Sequence, residues 1–495
     1  MKKFSNALLW LTASEIIFNI AAYIVHSVVG RILGPADYGR YGLVITLTTM
    51  VIVLIGNGIP TAMSKYLSEL WENNPENILA IKKKAAFLQT FLIGTVTVIF
   101  FLSAPFIAWL LKDPTLLPLF QLSAVVIPAF AAASFYHHYL TGLHLFKLQA
   151  IVKIVRSFAR VGFIALAAVF FGLEGAVGGY ILAPLFTFGI ALLIDEFYIK
   201  RKLGFGVKKN GHDFDFPTKT ILAYAGPLTL FLVFYELLLT IDLYFVKALL
   251  KDDHLTGLYN AAITVGRIPY YLFAALAMII LPAISKTTAE RSQEETTALV
   301  SKSLRLMTLL LFPMITLLIT YALPLLHFFY GTRYDQAANA MGVFSLGVGG
   351  LTVFYVLSFA LNGAGLVKIP MRLSFFGFLL MVIFNFILIP RFGIVGAALS
   401  ATLTAFVLMS TILFFTKKYF HVHLPSRTII SAFIVSLIIA FIARFLPGGT
   451  LSFLFSGAVL FIGYFGILRL IGELRDDDIF PFKKFLPLFS KKDQK

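Results

Sequence analysis

Residues 8–29 read LLWLTASEIIFNIAAYIVHSVV, an apolar run with one charged side chain, Glu15. A helix needs about 20 apolar residues to cross the hydrocarbon core of a bilayer. This run is too long for the apolar centre of a secretory signal, and no small-residue cleavage site follows it. It therefore predicts a first transmembrane helix that is not cleaved off.

Comparable runs continue along the chain. About fourteen spans are predicted, near 6–30, 41–63, 85–111, 116–140, 150–171, 176–199, 219–249, 256–282, 302–323, 337–362, 368–389, 394–416, 428–446 and 450–472. The pair after residue 427 also fits a re-entrant hairpin. Pro105, Pro128, Pro184, Pro227, Pro269 and Pro313 fall inside spans and would kink them. Neighbouring helices tolerate such kinks by satisfying the freed carbonyls.

Composition points the same way. The 495 residues are 59% hydrophobic and 13% charged, with a mean hydropathy of +0.89. A soluble domain carries roughly 25% charged residues, and half that density cannot cover a water-facing surface. The net charge of +17 would suggest nucleic acid in a soluble protein. Here the charges sit in short loops between apolar runs, so no nucleic-acid partner is expected. The absence of cysteine rules out disulfides, thiolate metal sites and cysteine nucleophiles. No cofactor or metal is expected.

Alternate loops divide the basic residues unequally. The loops and ends on the side of the N-terminus collect 32 of the 41 Lys and Arg. The positive-inside rule then places both termini in the cytoplasm. An odd number of spans would scramble the split. The outer loops are too short for a catalytic domain. The longest inner connection, 201–217, is basic and divides the chain near its middle. The tail 475–495 mixes Phe480, Phe482, Phe485 and Phe489 with lysines, a pattern suited to anionic headgroups or to a plain positive-inside tail.

A repeat runs through the chain. Leu140-Thr141-Gly142 matches Leu361-Asn362-Gly363, and Phe171-Gly172 with Gly175-Ala176 matches Phe392-Gly393 with Gly396-Ala397. Pro60 with Ser64-Lys65 resembles Pro282 with Ser285-Lys286, and Gly39-Arg40-Tyr41 resembles Gly257-Leu258-Tyr259. The shared offset of about 220 residues predicts two parallel six-helix lobes, 1–200 and 218–420. Helices in 421–474 follow them. Two such lobes rocking about a cleft would give alternating access.

Polar groups inside spans are costly and usually retained for a reason. Glu15, Asn19 and His26 share one stripe of the first span. Thr46, Asn57 and Ser64 share one of the second. On the seventh, Thr229, Glu236 and Thr240 share a face, and Tyr224, Tyr235 and Asp242 another. On the eighth, Asn260, Thr264, Arg267 and Tyr271 align. Arg267, Glu15 and Glu236 fall near the midplane. Arginine suits a phosphate because its fork of donors stays charged. Arg267 is thus either a phosphate ligand or half of an ion pair with Glu15 or Glu236. Glu15, Glu236 and Asp242 are candidates for ion coupling or pairing. Asn19, Asn57, Asn260, Thr264 and Tyr271 are candidates for sugar contact, and the Asn and Thr residues equally for interhelical hydrogen bonds. Lys153 and Arg156 read as positive-inside charges snorkelling from an inner helix end. Enzyme signals are poor. Asp252-Asp253 reads as a solvated turn, His137-His138 lacks a ligand cluster, and Gly204-Phe205-Gly206 follows no strand.

The stretch Gly30-Arg31-Ile32-Leu33-Gly34-Pro35-Ala36-Asp37-Tyr38-Gly39, followed by Ile59-Pro60-Thr61-Ala62-Met63-Ser64-Lys65, resembles the polysaccharide-biosynthesis transporters of the multidrug/oligosaccharidyl-lipid/polysaccharide (MOP) exporter superfamily. Asp242 with Leu258-Tyr259-Asn260-Ala261-Ala262 resembles the start of their second half. Phe392-Gly393-Ile394-Val395-Gly396-Ala397-Ala398 resembles their twelfth span. The resemblance implies a MOP/MATE-like, all-α membrane fold with a cleft lined by spans 1, 2, 7 and 8. It implies a flippase in the plasma membrane, carrying an oligosaccharide on a polyprenyl pyrophosphate to the outer leaflet. A coupling H⁺ or Na⁺, membrane lipids and glycan-assembly enzymes are the other implied partners. Fourteen spans also resemble the lipid II flippase and sporulation branches, where the last two helices help form a groove for the lipid tail. Against the lipid II flippases, this chain places Arg31 and Arg40 at outer span ends and leaves only Arg267 deep. A cation-coupled multidrug exporter and a lipid II-type flippase are the alternatives within the superfamily.

Overall fold

The computed structural model describes residues 2–56, 58–70, 78–199, 218–422, 424–446, 449 and 451–474. The expected linker 201–217, the tail 475–495 and Asn57 lie outside the described residues, as do the side chains of Tyr224 and Thr229. Among the described residues there is no strand.

The helices are α1 (Lys2–Gly56), α2 (Gly58–Leu70), α3 (Ile78–Leu110), α4 (Leu117–Ala124), α5 (Val126–Gly142), α6 (Phe146–Ile194), α7 (Thr218–Leu250), α8 (Asp253–Gly266), α9 (Ile268–Ala289), α10 (Gln293–Thr320), α11 (Ala322–Tyr330), α12 (Ala338–Gly363), α13 (Lys368–Phe420), α14 (Ser426–Ala443) and α15 (Ser452–Leu470). Ten of the helical runs are long and apolar enough to cross a bilayer. Three of them, α1, α6 and α13, hold 55, 49 and 53 residues, twice what a crossing needs. Each breaks once, at a glycine with positive φ: Gly34 (75°), Gly172 (57°) and Gly393 (57°). Only glycine adopts that region without steric cost. Counted as two crossings each, and with the 33-residue α7 added, these runs account for the fourteen predicted spans. Large apolar side chains such as Phe87, Phe170 and Phe455 point outward, as side chains facing lipid do. The chain is a multi-pass membrane protein.

The 221-residue repeat is visible in the backbone. Gly172 has φ/ψ of 57°/−135° and Gly393 has 57°/−136°. A Cβ on Gly175 would lie 1.9 Å from the Ala167 carbonyl oxygen, and one on Gly396 would lie 2.2 Å from that of Leu388. Residues eight apart are about 12 Å apart along a straight helix, so the chain doubles back sharply at both corners.

Two compact units form. The first holds residues 1–264 with Phe378–Ala397, the second Val265–Gly377 with residues 398–495. In the first, α1 packs along α6, and α2 along α5. Met63, Leu67, Ile81, Tyr139 and Leu140 form part of its core. Lys82 pairs with Asp195, and its ammonium sits 4.8 and 4.4 Å from the ring centres of Tyr136 and Tyr139. In the second, α9 packs on α12, and α10 on α14. Buried Glu473 ties the last helices down, accepting from Arg427 at 2.6 Å and Thr428 at 2.9 Å.

Within the first unit, α1 and α8 cross at glycines related by the repeat. A Cβ on Gly39 would stand 2.7 Å from the Gly257 nitrogen, and one on Gly257 would stand 1.7 Å from the Pro35 carbonyl oxygen. Three residues on, the Asn260 side chain packs on Gly42, and its amide donates to the Tyr38 carbonyl at 3.2 Å. Backbones approach this closely only over small residues. We expect Gly257→Ala to destabilise the protein by roughly 1–3 kcal/mol or more, read as a lower melting temperature in detergent. Gly178→Ala, where a Cβ meets nothing within 4 Å, serves as the silent control.

Candidate anion-binding site

The first half of α6 carries Lys153, Arg156 and Arg160. Spacings of three and four place them on one face of the helix. They lie about 10, 15 and 21 Å from its start at Phe146, and Gly172 ends that crossing a further ~18 Å on. Arg156 and Arg160 therefore sit near mid-span.

All three cations gather around Phe18 of α1, at 5.1, 5.9 and 5.5 Å from its ring centre. Arg156 also stacks on Phe130 at 4.1 Å. Arg160 lies 5.1 Å from the Tyr180 ring centre and donates to the Tyr180 hydroxyl at 2.6 Å. The faces of aromatic rings carry negative potential, so they hold a cation without neutralising it. Lys153 donates to the Glu15 carboxylate, one turn before Asn19 on α1. Arg156 has no carboxylate partner among the described residues. Nearby, His26 Nδ1 is 3.0 Å from the Tyr38 hydroxyl, and the Tyr38 and Tyr41 rings stack.

This corrects three expectations. Lys153 and Arg156 do not snorkel from a helix end; they turn inward onto α1. Arg267 is not alone in depth, since Arg156 and Arg160 also lie near mid-span. Glu15 pairs with Lys153, not with Arg267. The spacing of 153, 156 and 160 inside an apolar run was the available signal.

The remaining candidates are dispersed. Arg267 is buried at the break between α8 and α9, with Pro269 just beyond. Its Nε and Nη2 have no hydrogen-bond partner among the described residues, and its guanidinium is 5.9 Å from the Phe344 ring centre. Tyr271 is exposed. Asp242 is fully buried and accepts from the Tyr259 hydroxyl at 2.5 Å. Glu236 is half-buried, and its carbonyl accepts from Thr240. The Thr264 hydroxyl donates to the Asn260 carbonyl at 2.7 Å. Among the described residues, no group of three or more acidic or histidine side chains is placed to hold a metal.

Asp253 is no solvated turn either. It accepts from Arg40 at 2.8 Å and from Lys247, whose buried ammonium also donates to Asp113 at 2.6 Å. Burial raises the Asp113 carboxyl, but hydrogen bonds from Lys247 and Thr115 outweigh it and hold the group below its ordinary 3.8.

In the second unit, a cavity of about 580 Å³ opens between α10, α12, α13 and α14. Leu304, Met307, Phe312, Ile315, Phe406 and Phe433 give it an apolar wall.

Comparison with known proteins adds the following. The family model described as "Polysaccharide biosynthesis protein" matches residues 6–288, and the MatE model matches 227–387. An uncharacterized membrane protein of Methanocaldococcus jannaschii, MJ1375, is 26% identical over 404 residues, covering 78% of this chain and 91% of its own. A putative O-antigen transporter of Shigella flexneri is 23% identical over 387 residues, covering 75% and 87%. The structure of the lipid II flippase MurJ in an inward closed conformation superposes with a TM-score of 0.71 at 16% identity, covering 94% of this chain and 99% of that one. That likeness shows a shared fold.

A carboxylate held low in the folded state stabilises above its unfolded value and loses that contribution as pH falls through the folded one. Thermal stability should therefore drop as the pH falls below the ordinary carboxyl value of 3.8, and less steeply in Asp113→Asn than in the wild type.

Proposed function

The chain belongs to the polysaccharide biosynthesis protein family and is a transporter of the MOP superfamily, and from that premise we propose that it flips a polyprenyl-pyrophosphate-linked oligosaccharide from the inner to the outer leaflet. The observation that carries the reading is the group of mid-span cations around Phe18, with Arg156 lacking a carboxylate partner among the described residues. A charge at the bilayer centre costs at least about 2.5–3.5 kcal/mol on insertion scales. A transported phosphate would supply the missing anion. Guanidinium pairs bind phosphate oxygens bidentately, and the aromatic walls keep the cations charged and oriented.

Arg267 is a second anion ligand in this proposal, since two of its buried nitrogens lack partners among the described residues. Asn19 and Tyr271 would touch sugars, and Asn57 would join them. Asn260 is less suited, because its amide already serves the Tyr38 carbonyl. Thr264 keeps an acceptor oxygen for a sugar hydroxyl. The apolar cavity between α10 and α14 suits a prenyl chain. The two repeat lobes would alternate access in the plasma membrane, with both termini in the cytoplasm. Glu236 and Asp242 are the candidates for H⁺ or Na⁺ coupling.

The MatE match favours a second reading, a cation-coupled multidrug exporter. An uncompensated Arg156 would repel a cationic drug, so the flippase reading is preferred. Reconstitution in proteoliposomes decides between them. With a lipid-linked oligosaccharide as cargo, Arg156→Ala and Arg160→Ala should each slow translocation at least tenfold, about 1.4 kcal/mol, without loss of fold. Export of a cationic dye with no translocation of the lipid would reverse the assignment.

A further inference from the structure

The cavity of the second unit has two unlike ends. Along α14 it runs from Pro425 to Ala440, about 22 Å at the helical rise. One leaflet of the hydrocarbon core is only about 15 Å deep, so the cavity reaches past mid-bilayer. Its 580 Å³ spread over that length gives a section of roughly 26 Å², room for one hydrocarbon chain and not two. Within the apolar wall, the buried Ser436 hydroxyl has no hydrogen-bond partner among the described residues. The double bonds of a prenyl chain offer it π electrons that a saturated chain lacks.

With both termini in the cytoplasm, the inner end is the one at Leu304, Leu424 and Pro425. Cations stand there. Phe406, Met409 and Leu413 line the cavity from α13, and Lys417 follows one turn later on the same face. It is exposed and has no carboxylate partner among the described residues. Beside it, α14 begins after Pro425 with no side-chain cap. The N–H groups of that first turn lack an intrahelical acceptor, and the helix end carries positive potential. Arg427 in the same turn is 80% exposed. It shares buried Glu473 with Arg305, so two guanidiniums meet one carboxylate. The outer end has Arg444, one turn past Ala440, but at the C-terminus of α14, where the helix carbonyls offset its charge.

We propose that the inner end is a capture site for a lipid headgroup: a polyprenyl pyrophosphate of the inner leaflet lays its chain in the cavity and seats its phosphates between Lys417 and the first turn of α14. This rests on the reading of the cargo as a polyprenyl-linked glycan. The site is separate from the cations around Phe18, which belong to the first unit. A neutral lipid would gain the apolar wall and leave the donors at the mouth unused. A phospholipid would leave its second chain outside.

The chain has no cysteine, so Leu424→Cys places a single thiol at the inner mouth. The experiment follows its modification by a maleimide in the purified full chain in detergent. Undecaprenyl pyrophosphate should slow the reaction saturably, whereas undecaprenol and phosphatidylglycerol should protect weakly. With Lys417→Gln added, the concentration for half protection should rise roughly tenfold, the factor that one lost charged hydrogen bond is worth. Thr316→Trp, which fills the cavity from α10, should abolish protection, and Arg156→Ala should leave it unchanged. Equal protection by undecaprenol, or full protection in a folded Lys417→Gln variant, would overturn the headgroup seat. Equal protection by phosphatidylglycerol would overturn the occupant. Loss of protection in Arg156→Ala would overturn the separation of the two sites. No protection by any lipid, while Arg156→Ala still slows translocation, removes the capture site and leaves the proposed function standing. Protection without any translocation of lipid-linked cargo does the reverse.

Discussion

A guanidinium near the middle of a bilayer has to be compensated, and most of the first unit can be read as the means of doing so. The helical register of α6 sets Arg156 and Arg160 toward α1, and Phe18 on α1, Phe130 on α5 and Tyr180 on α6 itself offer them ring faces. These contacts stabilise the cations but leave their charge in place. Lys153 differs, because Glu15 neutralises it. Among the described residues the cluster therefore contains one cation paired with a carboxylate and one, Arg156, without such a pair. A purely structural role would be served more cheaply by carboxylates on the facing helix, since an unpaired buried charge is strongly destabilising.

The helix crossing of α1 over α8 gives this arrangement its fixed frame. Gly39 and Gly257 occupy matching places in the two repeats and face each other. Asn260 and Gly42, also matching, pack together beside them. Gly34 and Pro35 turn α1 just before the crossing. The same turn brings Tyr38 to His26 and Arg40 to Asp253. A backbone constraint at three small residues thus positions both an aromatic group and a charge network.

Much of this was legible in the sequence. Period and length of the apolar runs are strong signals, so the membrane class and the count of crossings followed directly. The repeat was legible because Gly172 and Gly393 must both adopt a conformation that other residues avoid. The sharp corners were less so: a short polar gap reads as a loop, whereas Gly34 alone joins the two halves of a 55-residue helix. The site was read least well. Glu15 and Arg267 stood out as isolated charges, and a carboxylate and a cation at similar depth suggest a pair. Which helices adjoin is a property of the fold, and α6 brings Lys153 to Glu15. Asp252-Asp253 misled for the same reason, since Lys247 and Arg40 reach Asp253 only in the folded chain.

The central claim is that the cations around Phe18 hold a phosphate-bearing lipid headgroup. Mass spectrometry of lipids that co-purify with the protein from its native membrane in mild detergent tests it most directly. The account predicts a polyprenyl phosphate or pyrophosphate bearing sugars with the wild type, and its loss from a folded Arg156→Ala variant. Only bulk phospholipids with the wild type, in preparations that retain other loosely bound lipids, would contradict it.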